Sequence, residues 1–247
     1  MADFEISSTQ LGPVRIIAWN REKKRNAFTS NMANSLKQAV QEASKDPEVG
    51  VILLDPNASI FSAGWDLDEL IQTRTEGFEK SDLLIESGRM CLREIAESPC
   101  FVVSVCRGAA LGFGISLLAN SDYVLAQSSA RFALPELDAG VVPSSVLGDL
   151  IAKYGISRAL NWAILGNISH PDAMNSGLVN VLLPDAEINA EIERIIVRFT
   201  KIGPRNLRAT VKLAREISVL NGEDMMRHGD NFAKFALAST ENGTDQP

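Results

Sequence analysis

The 247-residue chain is 45% hydrophobic with a formal net charge of −7, which suits one large core-bearing domain plus an appendage rather than several small domains. The acidic balance excludes a bulk electrostatic grip on nucleic acid, leaving only the local basic patch Arg21 to Arg25, and points to small molecules or proteins as partners. No apolar run reaches bilayer length and Met1 to Gln10 lacks the basic-then-apolar layout of a signal peptide, so the expectation is an uncleaved, soluble, cytoplasmic protein with no membrane contact.

In chain order, "VRIIAW" and "VGVILLD" are β-branched apolar runs that predict strands. Between them Met32, Leu36, Ala39, Val40 and Ala43 repeat with helical period, completing a βαβ pattern. "FSAGWDLDEL" follows, with small residues before a helix capped by Asp66. A helix over Ser81 to Glu97 presents Leu84, Cys91 and Ile95 on one face, and the strands "FVVSV" and "DYVLAQ" come next. Strands alternating with helices imply an α/β fold with a largely parallel sheet covered on both faces. From about Ser144 only "VNVLL" reads as a strand, and helical segments dominate to about Ala238. The last two, Pro204 to Leu220 and Gly222 to Leu237, carry apolar stripes suited to packing on another subunit. The end "STENGTDQP" is polar and expected to fray. Cys91, Cys100 and Cys106 are an odd number with no CxxC pair and no histidine at ligand spacing, so they predict reduced core thiols and no metal site.

The densest chemical signal is "RGAALGFGISLLANSDY", residues 107–123. It lacks the lysine of a phosphate loop and the full GxGxxG fingerprint, which removes nucleotide-phosphate binding in those modes. A nucleophile elbow centred on Ser116 would need a second glycine that is missing and one of only two histidines as base, so helix packing is the better account of that serine. The remaining chemical reading uses the backbone amides at the helix start to stabilise an oxyanion. That reading needs a second amide, which "SAGW" supplies, and a base. Glu136, in "ARFALPELDAGVVPSS", is a carboxylate among apolar residues, where desolvation would raise its pKa; on the residues alone an ordinary surface glutamate explains it as well.

These segments, together with "NREKKRNAFTSNM", "FALPELDAGVVP" and "GISRALNWAILGNISHPDAMNSGLVNVLLP", resemble the crotonase family, the enoyl-CoA hydratases and isomerases. The resemblance covers nearly the whole chain. It implies a crotonase-like ββα spiral core with the acyl-CoA site over residues 1–190, and a helical trimerisation region over 191–247. The assembly it implies is a homotrimer or a dimer of trimers. It further implies that the Trp65 and Phe113 amides hold the thioester oxygen of an acyl-CoA and that Glu136 moves the proton. Lys24, Arg25, Ala27, Ala63, Asp66, Leu67, Asp68, Gly112 and Ser116 then line the substrate and coenzyme A cleft. Lys24 and Arg25 would meet the coenzyme's phosphates, although a solvated basic loop explains each side chain equally well. No separate cofactor is implied, coenzyme A being part of the substrate.

Departures from the family pattern narrow the reaction. Family hydratases hold water with two glutamates; here Ser116 takes the place of the first and Glu136 that of the second. Ser144, Ser145, Val146 and Leu147 replace glycines near the water site. Isomerisation of a 3-enoyl-CoA to a 2-enoyl-CoA needs one base only, and is the expected reaction. A hydratase-lyase, simple hydration, and a non-catalytic acyl-CoA-binding, scaffold or RNA-binding relative are the alternatives.

Overall fold

In the computed structural model, which describes residues 5–56 and 58–241, the chain begins with β1 (Ile6–Leu11), β2 (Val14–Trp19), α1 (Ser30–Lys45) and β3 (Val51–Leu54). It continues through α2 (Leu67–Glu76), α3 (Phe78–Glu97), β4 (Phe101–Cys106), β5 (Ala109–Leu111), α4 (Phe113–Ala119), β6 (Tyr123–Gln127) and β7 (Arg131–Ala133). The remainder is α5 (Ser144–Tyr154), α6 (Ile156–Leu165), β8 (Asn167–Ile168), α7 (His170–Ser176), β9 (Val181–Leu183), α8 (Ile188–Ile202), α9 (Pro204–Ile217) and α10 (Gly222–Glu241).

Six strands form one sheet in the order β1-β2-β3-β4-β6-β9. β1 and β2 pair as an antiparallel hairpin and every other neighbour is parallel. Alternation along the strands feeds two cores, because successive side chains leave opposite faces. Val51 and Leu53 of β3 join Val103, Val105 and Leu125 against Ile188, Ile192 and Ile195 of α8 and Leu207 of α9. Ile52 and Leu54 face the other way, into a larger core with Met32, Leu36 and Val40 of α1 and Cys91 and Ile95 of α3. Each fully buried Ile or Leu contributes about 1.5–3 kcal/mol, so covering both faces is what fixes the parallel arrangement. The three cysteines are buried free thiols within this framework.

Local chemistry starts and joins the helices. Thr29 Oγ1 accepts from the Met32 amide at the head of α1, and Asp66 accepts from the amides of Asp68 and Glu69 at the head of α2. Two arginines of α9 then fasten the tail to the core. Arg208 donates to Ser44 O at 2.8 Å and to Val49 O at 2.9 Å; Arg215 donates to Ser98 O at 2.9 Å and to Asp122 Oδ2 at 3.1 Å.

The strands expected from the apolar runs are present as β2, β3, β4, β6 and β9. The edge strand β1 was not foreseen, because "ISSTQL" is exposed beyond Ile6 and shows no apolar alternation. The helix expected from Ser81 begins at Phe78. Helix α9 stops at Ile217, three residues before the expected end, and α10 runs on to Glu241. Residues 242–247 of the polar end lie outside the described residues. Also unforeseen is a second, three-stranded sheet in the order β5-β7-β8, and it is this sheet that builds the site.

Candidate active site

Four short chain segments run parallel and end together. β5 pairs with β7 in register Ala109↔Arg131 to Leu111↔Ala133. On the other side of β5, Ser62 bridges Ala110, and beyond it Phe28 bridges Trp65, both parallel. Leu111 N donates to Ser62 O at 2.9 Å, Phe28 N to Gly64 O at 2.8 Å and Asp66 N to Phe28 O at 2.7 Å. The carboxyl ends of parallel strands are where backbone amides and loop side chains converge on a ligand. Here they deliver Trp65 from one segment, Gly112 and Phe113 from the next, and Glu136 from the third.

Gly64 and Gly112 make that convergence sterically feasible. Gly64 has φ +91° and Gly112 φ +49°, both in the region that side-chain-bearing residues avoid. A Cβ on Gly64 would sit 3.1 Å from Leu111 O and 3.7 Å from Phe113 N, so the two turns touch. Neither the Trp65 amide nor the Phe113 amide donates to a backbone carbonyl among the described residues. Two adjacent, uncommitted N–H groups are what a developing oxyanion requires.

Glu136 closes over this pair. A Cβ on Gly112 would meet Glu136 Oε1 at 2.5 Å, and only glycine there leaves the carboxylate its place. Glu136 Oε2 is buried with no hydrogen-bond partner. Burial pushes the Glu136 carboxyl above its ordinary value, opposed only by a bond to its own amide. The carboxylate borders a cleft of about 370 Å³ whose walls include Ala63, Gly64, Trp65, Leu67, Gly112 and Glu136. Leu70, Leu84, Val141 and Val146 add an apolar lining.

The other residues singled out in the sequence lie around that cleft rather than in it. Lys24 pairs with Asp68 at 2.7 Å on the exposed rim, and this bond raises the lysine pKa. Arg25 is exposed in a left-handed turn at φ +53°. Asp66 and Ala27 are buried behind the rim: Arg21 bonds Asp66 at 3.0 Å and also donates to Ala27 O. Burial works against ionisation of Asp66, but the Arg21 bond, the amides of Glu69 and Asp68 and the arginine charge together bring its carboxyl below the usual range.

Ser116 is fully buried on α4. The Phe113 ring stacks on Trp65 with centroids 4.4 Å apart. The indole in turn lies over Gly88 of α3, where a Cβ would meet Trp65 Cζ2 at 2.5 Å. Behind these rings is a second chamber of about 440 Å³, which shares Trp65, Ile85, Ser144 and Ser145 with the first.

A profile of the enoyl-CoA hydratase/isomerase family matches residues 10–236. The chain belongs to the enoyl-CoA hydratase/isomerase family. Among its relatives is a Bacillus subtilis (strain 168) protein named as a probable enoyl-CoA hydratase, 28% identical over 205 residues, covering 82% of this chain and 79% of the relative. The structure of human enoyl-CoA hydratase domain-containing protein 3 superposes with a TM-score of 0.88 at 23% identity, covering 95% of this chain and 92% of that one. A Thermobifida fusca YX structure described as an enoyl-CoA hydratase in complex with acetoacetyl-CoA gives a TM-score of 0.81 at 20% identity, covering 95% of each chain. Membership makes the protein an acyl-CoA enzyme of this family, and the structural likeness fixes the crotonase fold.

Two residues near the site escaped the sequence reading. Gly88 sits mid-helix, where a glycine usually costs stability, and that oddity was the available signal. Asp149 lies three residues after the buried Val146 on α5, a spacing that brings a polar residue toward the core face. It lines the second chamber, and burial raises its pKa against the lowering effects of Ser116, Asn120 and Lys153.

Proposed function

We propose that this member of the family is an isomerase that converts 3-enoyl-CoA to 2-enoyl-CoA with Glu136 as its single base. The Trp65 and Phe113 amides donate to the thioester oxygen, which gains negative charge as the C2 proton leaves. Glu136 takes that proton, the electron pair delocalises through the dienolate to C4, and Glu136 returns the proton there. Each amide is worth about 3 kcal/mol to such a transition state, and a positioned carboxylate about 10²–10⁴ in rate. The observation that carries this reading is the placement of Glu136, with one oxygen against Gly112 and the other buried and unpartnered. A carboxylate oxygen held without a competing bond is free to exchange a proton. The complex of the Thermobifida fusca relative with acetoacetyl-CoA supports an acyl-CoA thioester as the ligand.

Hydration is the second reading, because it is the activity in the relatives' names. It would need Glu136 to activate water without the carboxylate that Ser116 replaces.

One assay separates the two: purified protein with 3-enoyl-CoA and with 2-enoyl-CoA, products identified by NMR. Isomerisation of the first with little hydration of the second is expected, together with at least a hundredfold loss in Glu136→Gln. Rapid hydration of 2-enoyl-CoA, or full isomerase activity in Glu136→Gln, would overturn the isomerase reading. Failure to bind any acyl-CoA in calorimetry would overturn both enzyme readings. The homotrimer or dimer of trimers belongs to the same proposal.

A further inference from the structure

The Trp65 side chain has a placement that an amide donor does not require. Its indole reaches from the turn that carries the amide across to α3, where a Cβ on Gly88 would meet Trp65 Cζ2 at 2.5 Å and Phe113 Cε2 at 3.2 Å. Its face lies on the Phe113 ring, which is backed in turn by Phe28 with centroids 5.3 Å apart. The indole is therefore held from two sides. The cleft that holds Glu136 and the second chamber share walls at Trp65, Ile85, Ser144 and Ser145, and of these the indole is the largest group.

The second chamber offers apolar surface and no unanswered charge. Ile85, Leu92 and Phe113 join Trp65 in lining it. Ser116 and Asn120 bond the Asp149 carboxyl, Arg89 pairs with Glu86 at 2.6 Å, and Arg93 pairs with Glu97 at 3.0 Å. An alkyl chain laid against those walls would gain about fourfold in affinity for each methylene taken out of water. The ring that stands between the cavities denies that gain to a chain seated in the first cleft.

We propose that the Trp65 indole is a partition that sets the acyl-chain limit of the enzyme and confines it to short acyl thioesters. The inference rests on the acyl-CoA reading of the first cleft and names the substrate class that cleft serves. Trp65 then acts through two separate parts: its N–H faces the thioester oxygen, and its ring closes the cleft beyond. Since the donor belongs to the backbone, the ring can be removed without removing the donor.

Gly148 gives an independent handle on the chamber. It lines the chamber from α5 but not the first cleft, and a Cβ there meets nothing within 4 Å. Gly148→Leu therefore fills the chamber alone, and leucine is the better helix former of the two.

The test is calorimetric binding of butanoyl-, hexanoyl-, octanoyl- and decanoyl-CoA, whose saturated chains have no double bond to move, so affinity alone is read. Wild type is expected to gain no affinity beyond hexanoyl, and Gly148→Leu should give the same series. Trp65→Ala should move the limit outward, so that octanoyl-CoA binds about tenfold tighter than hexanoyl-CoA. Adding Gly148→Leu to Trp65→Ala should remove that increase. A wild-type affinity that climbs steadily from hexanoyl to decanoyl would overturn the partition and leave the acyl-CoA reading intact, and this result needs no variant to fold. Long-chain binding in wild type that Gly148→Leu weakens would overturn it too, because the chain would already be reaching the chamber. A folded Trp65→Ala that keeps the wild-type limit would overturn the role of the ring. Binding of none of the thioesters would take down the acyl-CoA reading and this inference together.

Discussion

Glu136 is held mainly by geometry: Gly112 leaves room for Oε1, Oε2 has no partner, and a bond to its own amide is the one opposing contact. Burial therefore acts on its carboxyl almost unopposed and raises its pKa. For a base that must be ionised, the acid limb of kcat/KM is expected to lie above the ordinary glutamate value of about 4.3. A pH profile with its midpoint at or below that value would contradict the assignment. The same shift has a stability consequence with the opposite sense to that of a paired carboxylate. The folded state keeps the Glu136 proton to higher pH than the unfolded chain does, so stability falls as pH rises through that window. Glu136→Gln should thus melt at a higher temperature than wild type near neutral pH, with the difference vanishing once the pH is below the ordinary glutamate range. A lower Tm for the variant at neutral pH would show that the carboxylate is bonded rather than orphaned.

At the scale of elements, α9 is tied down by guanidinium groups that satisfy carbonyls other helices leave open. Arg208 reaches Ser44 O in the last turn of α1 as well as Val49 O, and Arg215 reaches Ser98 O at the end of α3. The final carbonyls of a helix have no partner of their own and carry partial negative charge, so a cation there is favourable. Arg208→Ala should cost about 2 kcal/mol, lowering Tm by a few degrees, and Arg208→Lys should recover only part of it because an ammonium lacks the planar fork. An unchanged melting temperature for Arg208→Ala would refute the role. A glycine of α3 makes a parallel point about the site. Gly88→Ala drives a Cβ into the Trp65 indole, which stacks on Phe113, so acyl-CoA affinity should fall while the fold persists. Calorimetry beside a circular dichroism melt would check this, and unchanged affinity would show that the indole is free to move.

What the sequence made legible follows the same division. β2, β3 and β4 are continuous apolar runs whose burial on two faces leaves an unmistakable pattern. β5, β7 and β8 are two or three residues long and display no period at all. Since those strands set Gly112 beside Glu136, the site's members were readable only by resemblance, and their distances were not readable. Asp149 belongs to no motif and was not singled out in the sequence.

At the scale of the whole molecule, α6 leaves an apolar stripe uncovered among the described residues. Ala159, Trp162 and Ala163 of α6 are buried, while Ile156, Leu160 and Ile164 on the opposite side are 63%, 43% and 68% exposed. Positions spaced by four lie in one row along a helix, and the neighbouring Leu165 and Met174 are exposed at 74% and 39%. Of the last two helices, from which the sequence suggested subunit packing, α9 buries Leu207 and Val211 within the chain, while Val219 after it and Met226 on α10 are exposed. Soluble monomers seldom present a contiguous stripe of this kind to water. A threefold ring closes such a surface by a heterologous contact repeated around the axis. Light scattering on the purified protein is therefore expected to give a mass three or six times that of the 26.8 kDa chain. Ile156→Lys combined with Ile164→Lys should shift it to smaller species without loss of helical content. If wild type scatters as a monomer at micromolar concentration, the stripe has another purpose and the trimer proposal falls.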